Sequence, residues 1–141
     1  ELAARYIVVR RDYAGAPQQC CWDWVLIERA VDNLLRNAIR YSPDAGRLTI
    51  RVMEVDQRVD ISVSDQGPGV PDDMLERIFS PFTQVDHARS PAAGDMGYGL
   101  GLALVRRVVE LHGGNVIAEN VYPGLRVVLQ LPRVNIPTTF V

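Results

Sequence analysis

Between residues 23 and 64 the hydrophobic period of this chain changes from helical to alternating, and that change limits the folds open to it. From Asp23 to Tyr41 the apolar residues fall at Leu26/Ile27, Ala30/Val31, Leu34/Leu35 and Ala38/Ile39, the spacing of one helix face. Asp23 is placed to cap that helix, and Ser42-Pro-Asp-Ala-Gly46 stops it. Leu48–Val55 and Val59–Ser64 then alternate apolar with polar residues, which predicts two strands paired through a turn at Asp56-Gln-Arg58. A short helix is expected from Pro71 to about Ile78, and a second amphipathic helix over Leu100–His112, ended by Gly113-Gly114. Asn115–Asn120 and Leu125–Leu131 read as a last hairpin. Toward the start, Tyr6–Arg10 reads as a strand, followed by a turn through Gly15 and Pro17 and a short strand around Gln19–Trp22. Helices interleaved with antiparallel strand pairs, without regular βαβ repeats, predict an α/β two-layer sandwich.

With 141 residues the chain suits one domain, 1–141, with a core at about 6–132 and a fraying tail at 133–141. At 48% hydrophobic and 23% charged it has the composition of an ordinary globular protein. A net charge of −2 gives no general pull toward nucleic acid or acidic membranes, so neither is an expected partner. No apolar run is long enough to span a bilayer, and the abrupt start without methionine reads as a piece of something longer. The adjacent Cys20 and Cys21 are poorly placed to bridge each other; they are expected to be reduced, partly buried strand residues in a reducing compartment.

Three blocks carry chemistry. Asn33, Asn37 and Arg40 are four and three residues apart, which puts them on one stripe of the first helix, away from the face of Leu35, Ala38 and Ile39. An asparagine oxygen is a hard neutral ligand suited to Mg²⁺; a solvated helix face is the plain alternative. Asp65 follows a strand and precedes Gly67 and Gly69; a carboxylate there can accept a hydrogen bond from the exocyclic amine of adenine, where guanine presents a carbonyl. An ordinary Asp-x-Gly turn is the competing explanation. Gly97, Gly99 and Gly101 lead into the second helix, where free N–H groups without obstructing side chains favour phosphate. A Rossmann loop is excluded because no strand precedes the glycines, and a P-loop because no Lys-Ser/Thr pair follows them. Phe79 and Phe82 read first as packing residues, and His112 as a helix-end cap or packing residue.

Taken in order, Glu28–Tyr41, Asp65-Gln-Gly67-Pro-Gly69, Phe79-Ser-Pro-Phe82 and Gly97-Tyr-Gly99-Leu-Gly101-Leu resemble the N, G1, F and G2 boxes of the ATP-binding domain of sensor histidine kinases. These belong to the gyrase/Hsp90/histidine kinase/MutL superfamily, and the resemblance runs from about Trp22 to Pro132. It implies a Bergerat-type fold, with a mixed, mostly antiparallel sheet covered on one face by helices. It also implies ATP and Mg²⁺, with the metal on Asn37, Asn33 in support, Arg40 and Glu28 at the phosphates and Tyr41 beside the adenine or sugar. Asp65, Gly67, Gly69, Gly97, Gly99, Leu100 and Gly101 would complete the nucleotide contacts, under a lid loop at about 83–98 in which Arg89 could reach the γ-phosphate. Met96 and Tyr98 depart from the family's glycine and small hydroxyl residue. Neither His87 nor His112 is followed by an acid, so the phosphoacceptor is expected on a separate dimerisation domain of the same parent. That parent would be a homodimer in the bacterial inner membrane, with this domain cytoplasmic and a response regulator as downstream partner. Two alternatives stay open: an anti-sigma-factor serine kinase of the same superfamily, and a non-catalytic nucleotide-binding regulatory module.

Overall fold

The Asp23 carboxylate accepts the Leu26 N–H at 3.2 Å, so a helix begins where the capping residue placed it: α1 spans Trp24–Tyr41. Ser42 closes it, its N–H donating to the Ala38 carbonyl at 3.0 Å, and Pro43 follows. The computed structural model describes residues 8–15, 21–81 and 99–133. In it β1 (Val8–Gly15), β2 (Arg47–Val55), β3 (Arg58–Ser64), β4 (Asn115–Asn120) and β5 (Leu125–Pro132) form one sheet, ordered β1-β2-β3-β5-β4. β1 runs parallel to β2, and the other neighbours are antiparallel. α2 spans Gly99–Leu111.

The alternation read from the sequence sets which face is buried. Val59, Ile61 and Val63 of β3 and Leu125, Val127, Leu129 and Leu131 of β5 point to one side. There they meet Ile27, Ala30, Leu34 and Ala38 of α1 and Leu102, Val105, Val108 and Val109 of α2 in a single core. Each such Leu or Val contributes roughly 1.5–3 kcal/mol when fully buried. The opposite face carries exposed ion pairs, among them Arg58–Asp60 at 2.7 Å and Arg126–Glu119 at 3.1 Å. Exposed pairs of this kind add little stability, and they mark that face as solvated. The two-layer sandwich, helices on one side of a mixed and mostly antiparallel sheet, is the fold observed.

His112 fixes how the helices lie. It is buried, at 4% exposure. Its Nε2 accepts the Asp23 N–H at 3.0 Å while Nδ1 donates to the Val108 carbonyl at 2.8 Å. Both bonds together require the neutral ring with its proton on Nδ1. The end of α2 is thereby tied to the start of α1, while Gly101, Ala103 and Leu104 near the start of α2 share a depression with Asn33 of α1.

Some expectations need correcting. β1 continues through Gly15, where a turn was expected, because pairing with β2 extends to Gly15 opposite Met53. Residues 71–79 form two 3₁₀ turns, Asp72–Met74 and Arg77–Phe79, in place of one short helix. The β2–β3 turn is two residues long, Asp56-Gln57, since Val55 already pairs with Arg58. Of the expected strand around Gln19–Trp22, the described part is one bridge at Cys21, whose N–H reaches the Arg133 carbonyl at 3.3 Å. Cys21 is free and exposed, not partly buried. Leu35 and Ile39 are half-buried, the core-facing stripe of α1 being Ile27, Ala30, Leu34 and Ala38.

Candidate nucleotide site

β3 delivers Asp65 to the rim of the sheet. Its backbone N–H continues the ladder to the Leu125 carbonyl at 3.0 Å. Its Oδ1 accepts from the Gly67 N–H at 2.8 Å and the Leu125 N–H at 3.1 Å. Oδ2 takes no part in these bonds. The residue is 7% exposed. Burial pushes its carboxyl above the ordinary aspartate value of 3.8, and the two backbone donors pull part of that rise back. A carboxylate held by one oxygen at a buried strand end suits recognition of a neutral donor such as an aryl amine.

Tyr41 links this turn to α1. A Cβ on Gly67 would run into the Tyr41 carbonyl oxygen and lie 3.3 Å from Asp65 Oδ1, so only glycine lets the turn close against the helix end. Tyr41 itself is half-buried and packs on the core. Gly69 has φ +71°, the left-handed region, and sits against the side chain of Asn120.

Further back along α1, Asn33 lines an open depression of about 520 Å³ with Gly101, Ala103 and Leu104 at the start of α2. Asn37 is half-buried one turn nearer the Asp65 loop, and Arg40, exposed, stands in the last turn of α1. Gly99, Leu100 and Gly101 form the first turn of α2, whose N–H groups have no earlier helical carbonyl to bond. Among the described residues nothing lies within 4 Å of a Cβ built on Gly101. The second half of α1 therefore serves as a spine, with the glycine-opened helix beside its middle and the acidic turn against its end.

Glu28 is not brought to this group. It is nine residues before Asn37, which places the two about 180° apart around the helix. It is exposed and lines a separate depression with Val25, Arg29 and Asp32. Gly97, Phe82, His87, Arg89 and the expected lid at 83–98 lie outside the described residues. Phe79 is buried in the core. Among the described residues no group of three His, Cys, Asp or Glu side chains is arranged to hold a metal. Nor is any helix among them long and apolar enough to cross a membrane.

Three residues at this site escaped sequence reasoning. Leu125 supplies the second donor to Asp65 from 60 positions away. Gly124, with φ +108°, lies so close to the Asp65 carbonyl that a Cβ would overlap it. Asn120 bonds Val70 and Asp72. Pro123-Gly124 announces a turn, but no local pattern says which distant loop that turn supports.

A buried acid at a strand end, an amide-bearing helix and a glycine-opened helix, all on the helical side of a mixed sheet, define a nucleotide-binding α/β sandwich domain. Residues 23–135 match the family described as histidine kinase-, DNA gyrase B- and HSP90-like ATPases, and the chain belongs to that family of ATP-binding domains. It is 45% identical over 106 residues to the sensor protein PfeS of Pseudomonas aeruginosa, covering 75% of this chain and 23% of PfeS. Identity with the sensor histidine kinase WalK of Bacillus subtilis is 40% over 97 residues, 67% of this chain and 16% of WalK. The chain thus spans under a quarter of the length of these relatives. Among solved structures, the mycobacterial sensor histidine kinase MprB superposes with a TM-score of 0.82 at 32% identity, over 96% of this chain and 90% of that one. The catalytic domain of histidine kinase ThkA, nucleotide-free, gives 0.81 at 25% identity, over 96% and 85%.

Proposed function

We propose that the chain is the catalytic module of a two-component sensor histidine kinase, which binds ATP·Mg²⁺ and presents the γ-phosphoryl group to a histidine on a separate dimerisation domain. The observation that carries this reading is the Asp65 carboxylate, buried at the end of β3 with Oδ1 fixed by two backbone amides and Oδ2 left over. Oδ2 accepts the adenine amine, and a guanine carbonyl in the same place would leave two acceptors facing each other. Gly67 and Gly69 hold the turn that carries this acid, and Tyr41 flanks the base or sugar from the end of α1.

The phosphates lie toward Asn33, Asn37 and the first turn of α2, where Gly99, Leu100 and Gly101, with Gly97 before them, offer backbone amides. Arg40 adds positive charge to that side. The donor set fits Mg²⁺: Asn37 gives one hard neutral oxygen at a half-exposed position, and this ion habitually fills its remaining places with water and phosphate oxygens. When bound, Mg²⁺ neutralises phosphate charge. The chain's own residues orient the nucleotide and hold its transferable end, so catalysis here is positioning and electrostatics.

The acceptor histidine comes from elsewhere. His112 is buried with both ring nitrogens bonded. A homodimeric parent in the bacterial inner membrane, with this domain in the cytoplasm and a response regulator downstream, completes the reading. ThkA offers a parallel, having been solved in complex with the response regulator protein TrrA.

Calorimetric titration of the chain with ATP and GTP, each with and without Mg²⁺, tests it. ATP should bind about a hundredfold tighter than GTP, and more tightly with Mg²⁺ than without. Equal affinity for the two purines would remove Asp65 from base recognition, and binding indifferent to Mg²⁺ would remove the metal role of Asn37.

A further inference from the structure

Asn120 is half-buried at the last position of β4, outside the hydrophobic core, yet its carboxamide is fully engaged. Oδ1 accepts the Val70 N–H at 3.0 Å, while Nδ2 donates to the Val70 carbonyl at 2.7 Å and to Asp72 Oδ1 at 3.0 Å. The amide therefore pairs with both backbone groups of Val70, as a neighbouring strand would. Rotating it by half a turn would set donor against donor and acceptor against acceptor, so its orientation is fixed by these bonds. The approach depends on Gly69, where a Cβ would lie 2.5 Å from Asn120 Oδ1.

The register of β4 and β5 gives this clamp its meaning. Asn120 faces Leu125 as the last pair before the turn, which the Val121 N–H closes on the Gly124 carbonyl at 2.9 Å. Leu125 holds residue 65 through its own N–H and C=O. Asn120 holds residue 70 through its side chain. One facing pair of residues thus grips both ends of the loop that carries the base-reading acid.

We infer that Asn120 is a positioning residue for nucleotide recognition: through Val70 and Asp72 it sets where the Asp65–Gly69 turn stands relative to the purine. The inference rests on the nucleotide reading above and extends it to a residue of the β4–β5 hairpin. A displaced turn costs affinity because Oδ2 of Asp65 and the turn backbone must meet the base within hydrogen-bonding distance. The sheet needs none of it, since the β4–β5 ladder is made by main-chain groups.

The test uses the full chain and four proteins: the parent, Asn120→Ala, Asn120→Asp, and the double replacement N120D/D72N, in which amide and carboxylate exchange places. ATP and GTP affinities are measured with Mg²⁺, and thermal unfolding alongside. Asn120→Ala should lose about tenfold in ATP affinity and narrow the ATP-to-GTP ratio, with a melting shift typical of one lost hydrogen-bonded group. Asn120→Asp should lose at least as much, because a carboxylate then faces the Val70 carbonyl and Asp72. Adding Asp72→Asn should recover part of the ATP affinity, a recovery that remains readable if the alanine variant fails to fold. Affinity and purine ratio unchanged in Asn120→Ala, or no recovery in the double variant, would overturn the inference. If the parent itself does not bind ATP, the nucleotide reading falls and this one with it. ATP binding that the single variants leave intact would remove this one alone.

Discussion

Glycine appears on both sides of the site, in the turn after β3 and in the first turn of α2, for different physical reasons. Gly67 is demanded by the protein: the Tyr41 carbonyl occupies the space a side chain would need. Gly101 is not demanded by any described residue, since none lies within 4 Å of the place a side chain would take. One region is a closed piece of packing that displays a single carboxylate, and the other is a surface that no described residue covers. The same residue type thus marks fold necessity in one place and, on the nucleotide reading, ligand necessity in the other.

Gly67→Ala is the harshest way to probe the contrast. The new methyl group collides with backbone at the end of α1, not with the tip of a side chain that can swing aside, and Tyr41 is itself packed on the core. Unfolding in denaturant should show a loss of about 3 kcal/mol or more, with ATP binding falling alongside. A loss no larger than that of an ordinary surface substitution would mean the turn can move away from α1, and the contrast between the two regions would lapse.

Asp65→Asn separates recognition from folding inside the closed region. The amide oxygen can still accept from Gly67 and Leu125, so the turn keeps its bonds, while Nδ2 now opposes the adenine amine. ATP affinity should fall about a hundredfold with no loss of stability at neutral pH. The sign of the stability effect follows from burial. Because the folded carboxyl titrates above its ordinary value of 3.8, the folded state binds that proton more tightly than the unfolded chain does. The stability this contributes is complete below 3.8 and is lost as pH rises through the raised value. The Asn variant should therefore match or exceed the parent in melting temperature at neutral pH, and that relative advantage should shrink as pH falls through this window. A variant less stable than the parent at neutral pH would show the charge to be stabilising where it sits.

Features set by local chemistry could be read directly from the chain. Asp23 and Ser42-Pro43 bound α1, and alternation over 48–64 marks β2 and β3 to within a residue. The separation of Glu28 from Asn37 was also legible, since nine residues of helix place them on opposite sides. Pairings across distance were not. Nothing around Val8 announces a parallel partner, and nothing around Leu125 announces that β5 inserts between β3 and β4. The site divides the same way. Asp65 and its glycines stand out as a motif, whereas the groups that hold them, Leu125 and Asn120, act from 60 and 50 residues away. The span from Pro71 to Phe79 misled because acidic residues after a proline suit a helix start, while the chain there makes only single i to i+3 turns, as Met74 to Pro71 at 2.8 Å.

The gentlest substitution separates the two regions most cleanly. Gly101→Ala adds a methyl group that meets none of the described residues, within a helix, where alanine is favoured over glycine by up to about 1 kcal/mol. If the bare surface serves only the fold, the variant should be a little more stable and bind ATP as the parent does. If the start of α2 receives phosphate, the methyl group meets the ligand, and stability and affinity should move in opposite directions: unfolding slightly harder, ATP binding weaker by about tenfold. Calorimetry and thermal unfolding on one preparation decide it. Unchanged ATP affinity would shift the phosphates away from Gly101 and leave the depression it shares with Asn33 without a ligand role.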